Sequence, residues 1–469
     1  MSEVVAEVPV KKGHPPGLYL LFFAELWERF SFYGMRGLLI LFLTKLPSEG
    51  GMGIPSGDAS NWYGNFQMLI YITPLFGGII ADQFLGQRLS ILIGGVLMML
   101  GQFSLASDMG TSSVFLGFGL LIFGNGFFKP NISTMVGSLY KQGDPMRDVG
   151  FTIFYMGINL GAFLAPLICG YLAEDYMAEK ITLADGTIKV IHYGFRYGFM
   201  AAGIGMLLGQ IIFNTFANKY LGDIGKYPAG KNKDAAQNAA DNKPLSKEEQ
   251  DRLVVIFVLC GLIIFFWAGF EQAGAALSLY TDSYIDRQVG NFLIPTSFFQ
   301  AVNPLFIVAL GPVVGWFWIY LAKNKINLSI PIKLGLGMIL LGVGFLFMAG
   351  ACLQRGETLS SVVPDLTIKA SLWWLVLTYL FHTIGELFLS PIGLSMITRL
   401  SPVKFASMMM GIWFFSTAMG QKLAGYGQDY INELGPLKVF IYIAGVVTVF
   451  GFILFIISRK MVSMMHGRG

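Results

Sequence analysis

The sequence predicts an all-α polytopic membrane protein whose twelve spans form two bundles of six, and three observations carry that reading. Of 469 residues, 54% are apolar and 13% charged, about half the charged share of a soluble domain. Apolar stretches recur twelve times, each close to the roughly 20 residues that a helix needs to cross about 30 Å of hydrocarbon. One long polar interior stretch, Gly222 to Gln250, divides them six and six. This composition argues against a disordered chain or an ordinary soluble enzyme.

The elements follow in order. Residues 1–17 are a polar tail containing Lys11, Lys12, Pro15 and Pro16. They show no short apolar core followed by a small-residue cleavage site, so the first span itself is expected to direct insertion. Spans are expected near 18–44, 61–81, 89–107, 113–137, 150–175 and 195–220, giving a first bundle over 18–221. The linker, 222–250, is rich in Lys, Asn, Asp and Ala. Six more spans near 252–280, 294–321, 331–352, 370–396, 402–428 and 436–458 give a second bundle over 251–460, before a tail at 461–469. Twenty of the 32 Lys and Arg residues fall on the side of the N-terminus, eight on the other side, and four inside spans. The excess places both termini and the linker in the cytoplasm. Cys169, Cys260 and Cys352 lie far apart in apolar stretches, where they read as small hydrophobes without metal or disulfide spacing.

The two halves echo each other. Met156-Gly157-Ile158-Asn159 in the fifth span recurs as Met410-Gly411-Ile412-Trp413 in the eleventh, and Phe66-Gln67 in the second as Phe299-Gln300 in the eighth. Lys129 precedes Pro130 in the fourth span; Glu386 stands five residues before Pro391 in the tenth. The spacing supports two parallel six-helix repeats, as in the major facilitator fold. The stretch from Gly77 to Arg88 resembles the Gly-x-x-x-Asp-x-x-Gly-x-Arg loop of that superfamily, which implies a tight cytoplasmic turn carrying Asp82 and Arg88.

The spans also hold charges that hydrocarbon does not tolerate. Glu25, Glu28, Arg29 and Arg36 all lie in the first span, and each costs about 2.5–3.5 kcal/mol at mid-bilayer. Their i, i+3, i+4 spacing puts them near one helix face, where Glu25 and Arg29 can pair. Two carboxylates one turn apart do not both ionise easily without nearby cations, so the cluster is a candidate proton-binding element. Lys129, Glu271, Glu386 and Lys422 are single charges in other spans. Buried charges need partners. The expected pairs are Arg36 with Glu271 toward the outside and Lys129 with Glu386 toward the inside, two gates that could break alternately.

Glu25-Leu26-Trp27-Glu28-Arg29-Phe30-Ser31-Phe32-Tyr33-Gly34 resembles the E-x-x-E-R-F-x-Y-Y-G signature of the proton-coupled oligopeptide transporters. Phe154 to Ala162 resembles that family's second signature, and Phe266-Trp267, Glu271-Gln272, Asn303-Pro304, Gly385-Glu386 and Ser390-Pro391 match further positions. The resemblance spans essentially the whole chain. It implies a symporter of di- and tripeptides, and of peptide-like drugs, driven by an inward proton gradient. Glu25, Glu28, Arg29, Lys129 and Glu271 would couple the proton. Arg36 and Lys129 would hold the peptide carboxylate, and Glu386, Asn159 and Asn303 the amine. Tyr33, Tyr71, Trp267, Ser390 and Trp413 would line the pocket.

Departures from the pattern matter too. Phe32 replaces a tyrosine, the gap between the sixth and seventh spans is too short for two extra helices, and Leu353 to Lys369 is too short for a large extracellular domain. The second span has no histidine; His382 lies one turn before Glu386. The rival readings are a proton-coupled carrier of another small solute on the same scaffold (nitrate, an organic anion or a peptide-like drug), and a peptide-binding transceptor. No nucleophile–base pair, phosphate loop or metal constellation suggests an enzyme. The expectation is a monomer in a bacterial inner membrane, contacting lipid and no nucleic acid, with protons as coupling ions and no cofactor.

Overall fold

Twelve long helices follow one another in the computed structural model, which describes residues 13–107, 109–141, 144, 146–228, 245–360 and 367–468. Most of the expected N-terminal tail (1–12) and linker (229–244) lies outside the described residues. The helices are α1 (Pro16–Thr44), α2 (Ser56–Leu85), α3 (Gln87–Ala106), α4 (Thr111–Ser138), α5 (Met146–Tyr176) and α6 (Phe195–Leu221). The second half comprises α7 (Lys247–Tyr284) and α8 (Thr296–Lys323), α9 (Ile330–Gln354), α10 (Leu372–Leu400), α11 (Ala406–Gly425) with a continuing turn Gly427–Leu434, and α12 (Pro436–Met464).

Among the described residues, ten of these helices are apolar and long enough to cross a membrane on their own composition. The other two are α1, which carries four charged residues, and α11, whose end is made polar by Ser416, Thr417, Gln421 and Lys422. Such helices reach membrane depth only when neighbours cover their polar face.

Each half has its own apolar core, one running from Leu18 to Leu221 and joined by Ala275 of α7, the other from Val255 to Met465. Their helices pack in matching ways. α3 lies on α4 and α6, and α9 lies on α10 and α12. Between halves, α2 packs on α11 and α5 on α8. Each relation maps onto its twin by a shift of six helices, which is what parallel repeats around an axis normal to the membrane require. Small residues permit the close crossings. A Cβ at Gly161 of α5 would stand 2.4 Å from the Leu26 carbonyl and 2.9 Å from the Arg29 Cβ, so only glycine seats α5 against the charged stretch of α1.

Between α5 and α6 lies a β-hairpin, β1 (Glu179–Thr182) paired antiparallel with β2 (Ile188–His192), turning at Gly186, whose φ is +83°. It marks one end of the bundle, the hairpin end; the linker end is the other. The cysteines are free and buried: Cys169 lies against Gly34 of α1, Cys260 in α7 and Cys352 in α9.

Candidate functional site

The charged face of α1 folds as its spacing requires. Arg29 Nε lies 3.1 Å from Glu25 Oε1 and also pairs with Glu28. Asn125 of α4 donates weakly to Glu28, at 3.4 Å. All three charged side chains are buried, and Glu25 Oε2 and one Arg29 Nη lack a partner. The cluster therefore keeps a free acceptor and a free donor where hydrocarbon would otherwise forbid both.

Two turns further along, Arg36 donates to Glu271 Oε2 of α7 at 2.5 Å, and its Nε to the Tyr63 hydroxyl at 3.0 Å. The expected first-half to second-half pair is formed. Glu271 sits where α7 tightens from an α-helix into a 3₁₀ turn, Glu271–Gly274, a break that aims its carboxylate inward.

A cavity of about 190 Å³ opens beside this pair, enclosed by α1, α2, α5, α7, α8 and α10. Arg36 and Glu386 sit in opposite halves of its wall, with Tyr33, Tyr71, Asn159, Trp267 and Asn303 between them. Asn303 Nδ2 donates to Glu386 Oε2 at 2.9 Å and to Thr383 Oγ1 at 3.0 Å. The Trp267 indole N–H is buried without a partner. These walls offer one cation, Arg36, two carboxylates, Glu271 paired with that cation and Glu386 in the same half, amides that both donate and accept, and aromatic faces.

Eight of the residues singled out from sequence thus come together on one cavity: Tyr33, Arg36, Tyr71, Asn159, Trp267, Glu271, Asn303 and Glu386. Lys129 stands one layer away, its Nζ 4.6 Å from the centroid of the Tyr71 ring. Ser390 and Trp413 lie outside this lining. Ser390 Oγ is buried without a partner, and Trp413 packs on Gly393 of α10. Sequence reasoning gave no site role to Tyr155, Gln300 and Tyr379, which also line the cavity. Tyr155 is one turn before Asn159, and Tyr379 two turns before Glu386, so helical spacing from the charged or amide residue could have found both.

The expected Lys129–Glu386 bridge is not formed. The polar contacts that join the halves cluster at the hairpin end: Arg36–Glu271, Lys45–Asp282 and Lys422–Asn65 among them. Lys129 and Glu386 are only partly buried, and each has another partner, the Tyr71 ring for one and Asn303 for the other. Each of these two charges is held by a neighbouring helix of its own half rather than by the other.

The turn between α2 and α3 is tight. Gly86 has a φ of +75°, and a Cβ there would meet the Lys226 carbonyl at 3.1 Å. Arg88 is the clamp: it donates to the Gly222, Ile224 and Asn218 oxygens at 2.6, 2.8 and 3.0 Å, closing the C-terminal end of α6. Asp82 is exposed near the end of α2.

Twelve helices in two six-helix repeats around one polar cavity define a membrane carrier of the major facilitator fold. Residues 88–222 and 228–436 match the sequence profile described as PTR2, the POT family, and the chain belongs to that family. It is 35% identical to "Peptide transporter YePEPT" of Yersinia enterocolitica, over 88% of this chain and 87% of that protein. It is 30% identical to the "Di-/tripeptide transporter" of Lactococcus lactis subsp. lactis, over 97% of each. A crystal structure of peptide transporter POT in complex with sulfate superposes with a TM-score of 0.86, at 32% identity over 98% and 97% of the two chains.

Proposed function

We propose that this chain is a proton-driven importer of di- and tripeptides that works by alternating access. The observation that carries this reading is one cavity with Arg36 on one half and Glu386 on the other, separated by amides and aromatic rings. A short peptide is a zwitterion with its charges at a nearly fixed separation. A site that grips both ends, and meets the side chains with aromatic surface, accepts many sequences and peptide-like drugs. A nitrate or organic-anion carrier has no use for Glu386.

In this reading Arg36 and Lys129 hold the peptide carboxylate, while Glu386, Asn159 and Asn303 hold the amine. Tyr33, Tyr71, Trp267, Ser390 and Trp413 shape the pocket as the halves close on it. Glu25, Glu28, Arg29 and Lys129 carry the coupling proton together with Glu271, and no other cofactor is needed. Protonating Glu271 removes the partner of Arg36 and frees the hairpin end to open. Lys129 and Glu386 pair when the linker end closes, so the two bridges alternate. The carrier performs no covalent chemistry. It works as a monomer in the lipid of a bacterial inner membrane, with the termini and linker in the cytoplasm and the hairpin end outside. Coupling requires that proton binding favour the peptide-competent state, which is a linkage between two sites.

The test is uptake of labelled dialanine into proteoliposomes under an inward pH gradient. Dialanine and trialanine should compete; free alanine, tetra-alanine and nitrate should not. Gradient-independent uptake, or competition by nitrate, overturns the reading.

A further inference from the structure

At the linker end of the second half, a cavity of about 440 Å³ opens between the last turn of α8, the first turn of α9 and the ends of α10 and α12. It shares no residue with the cavity that holds Arg36 and Glu386. The chain around it carries one sign of charge. Residues 315–333, 396–404 and 456–468 hold eight Lys or Arg, three, two and three in turn, and no Asp or Glu. Two of these cations line the cavity itself, Lys333 of α9 and Arg399 of α10. The charge that bears on Lys333 is Arg399, which repels it. Neither has a carboxylate partner among the described residues. Of the acids at the start of α7, Asp251 is bonded to His466 at 2.9 Å, Glu249 accepts the Ser246 N–H at 2.9 Å, and Glu248 is exposed.

Like charges gathered in one cavity repel unless an anion stands between them. The other donors on the wall suit a phosphate. Ser329, which precedes the first residue of α9, makes no capping bond, and its Oγ is buried without a partner on the same cavity. The start of this 25-residue helix adds free N–H groups and the positive end of its dipole. Lys333 Nζ stands 4.8 Å from the centroid of the Trp318 ring, so the indole face seats the ammonium on the wall. A hydroxyl, an ammonium and a guanidinium beside a helix start can meet several oxygens of one phosphate with charge-assisted bonds.

Depth and walls decide where that phosphate comes from. Trp316 and Tyr320 of α8 stack on each other at 5.5 Å and are 63% and 50% exposed; Trp and Tyr in such positions mark the boundary between membrane and water. Leu321, Leu328 and Val462 give the cavity an apolar side. A free phosphate ion gains nothing from that side, whereas a phospholipid lays its glycerol and first methylenes on it. We propose that this cavity binds one anionic phospholipid by its phosphate group, with Lys333, Arg399 and Ser329 holding the oxygens. In the orientation proposed above, the lipid belongs to the cytoplasmic leaflet, whose negative surface attracts basic segments. The site stands on the second half alone and is independent of the peptide reading.

Thermal unfolding of the detergent-purified full-length protein, titrated with phosphatidylglycerol, phosphatidylcholine or inorganic phosphate, tests this. Phosphatidylglycerol should raise the unfolding temperature saturably, and native mass spectrometry should retain one such lipid per chain. Phosphatidylcholine and phosphate at the same concentrations should do neither. Lys333→Gln/Arg399→Gln should weaken phosphatidylglycerol binding on the order of 10²-fold, about tenfold for each charge-assisted bond lost. Arg399 is exposed, so Arg399→Gln alone keeps the fold and should cost about tenfold. Lys323→Gln/Lys325→Gln removes the same charge from outside the cavity and should bind as the wild type does. A lipid-free unfolding temperature near that of the wild type reports that the variants are folded. Equal weakening in the two double variants means that diffuse surface charge attracts the lipid, and overturns the proposal. Undiminished binding by the cavity variants overturns it too, as does equal stabilisation by phosphate or by phosphatidylcholine.

Discussion

Glu174 at the end of α5 accepts the backbone N–H groups of Thr296 and Ser297, at 2.7 and 2.9 Å, so a buried acid of the first half caps the first turn of α8 in the second. A carboxylate at a helix N-terminus meets unsatisfied donors and the positive end of the helix dipole. The contact joins the two halves at the hairpin end, which the proposed cycle has to open.

Replacing Glu174 with Gln keeps the shape and removes the charge. The closed hairpin end should lose about 1–2 kcal/mol, the difference between a charge-assisted and a neutral bond pair. Spin labels at Ser48 and Glu433, both exposed at that end, should show a larger population at long distance. An unchanged distance distribution removes Glu174 from the latch.

Lys45 and Asp282, 2.5 Å apart, form a second latch at the same end. Burial alone would lower the Lys45 ammonium, but Asp282 outweighs it and holds the ammonium above its ordinary range. A folded-state value above the unfolded one means the stabilisation is fully present below the unfolded lysine value, about 10.4, and is lost as pH rises through the higher folded value. The same label pair should therefore report an unchanged hairpin end from about pH 7 to about pH 10. Lys45→Met should open it throughout that range. A wild-type opening near pH 8 contradicts this.

Removing one member of the buried Arg36–Glu271 pair leaves the other charge alone. Arg36→Met should destabilise the detergent-solubilised protein by about 3–5 kcal/mol, and the Arg36→Met/Glu271→Gln double variant by clearly less, because no orphan charge remains. Thermal unfolding of the four proteins reads the cycle. Additive losses mean the two groups do not act as a pair.

Glu386→Gln should weaken dialanine binding by about 1.5–3 kcal/mol, the range for a hydrogen bond to a charged group. N-acetylated dialanine, which has no ammonium, should bind the variant and the wild type alike. Isothermal titration separates the two. Equal losses for both ligands would place Glu386 away from the amine.

Gly161→Val should fail differently. The new side chain would enter the 2.4 Å space before the Leu26 carbonyl, where overpacking costs about 1–3 kcal/mol. Loss of monodispersity on size-exclusion chromatography, with the cavity residues intact, is the expected result.

The sequence made charge visible and left geometry of approach unseen. Arg36–Glu271 was legible because a lone ion in a span demands an opposite one, and these two stand at matching depth in their spans. The Lys129–Glu386 bridge was equally well argued from charge, but whether it forms depends on which end of the bundle is parted, and no local pattern encodes that. Tyr155, Gln300 and Tyr379 escaped because an uncharged residue in an aromatic-rich chain carries no alarm. The β1–β2 hairpin escaped because its strands have four and five residues, too short for alternation to stand out between two long helices. Gln67 was noticed only as half of a repeated Phe-Gln pair.

The burial of Cys169, Cys260 and Cys352 has a practical side. Each thiol is at most 2% exposed, and each sits within a helix of the packed bundles. Water-soluble maleimides and methanethiosulfonates should pass them by in the folded protein. The natural chain then serves as its own silent background, and a single engineered cysteine on either face can be followed through a transport cycle without first stripping out the native ones.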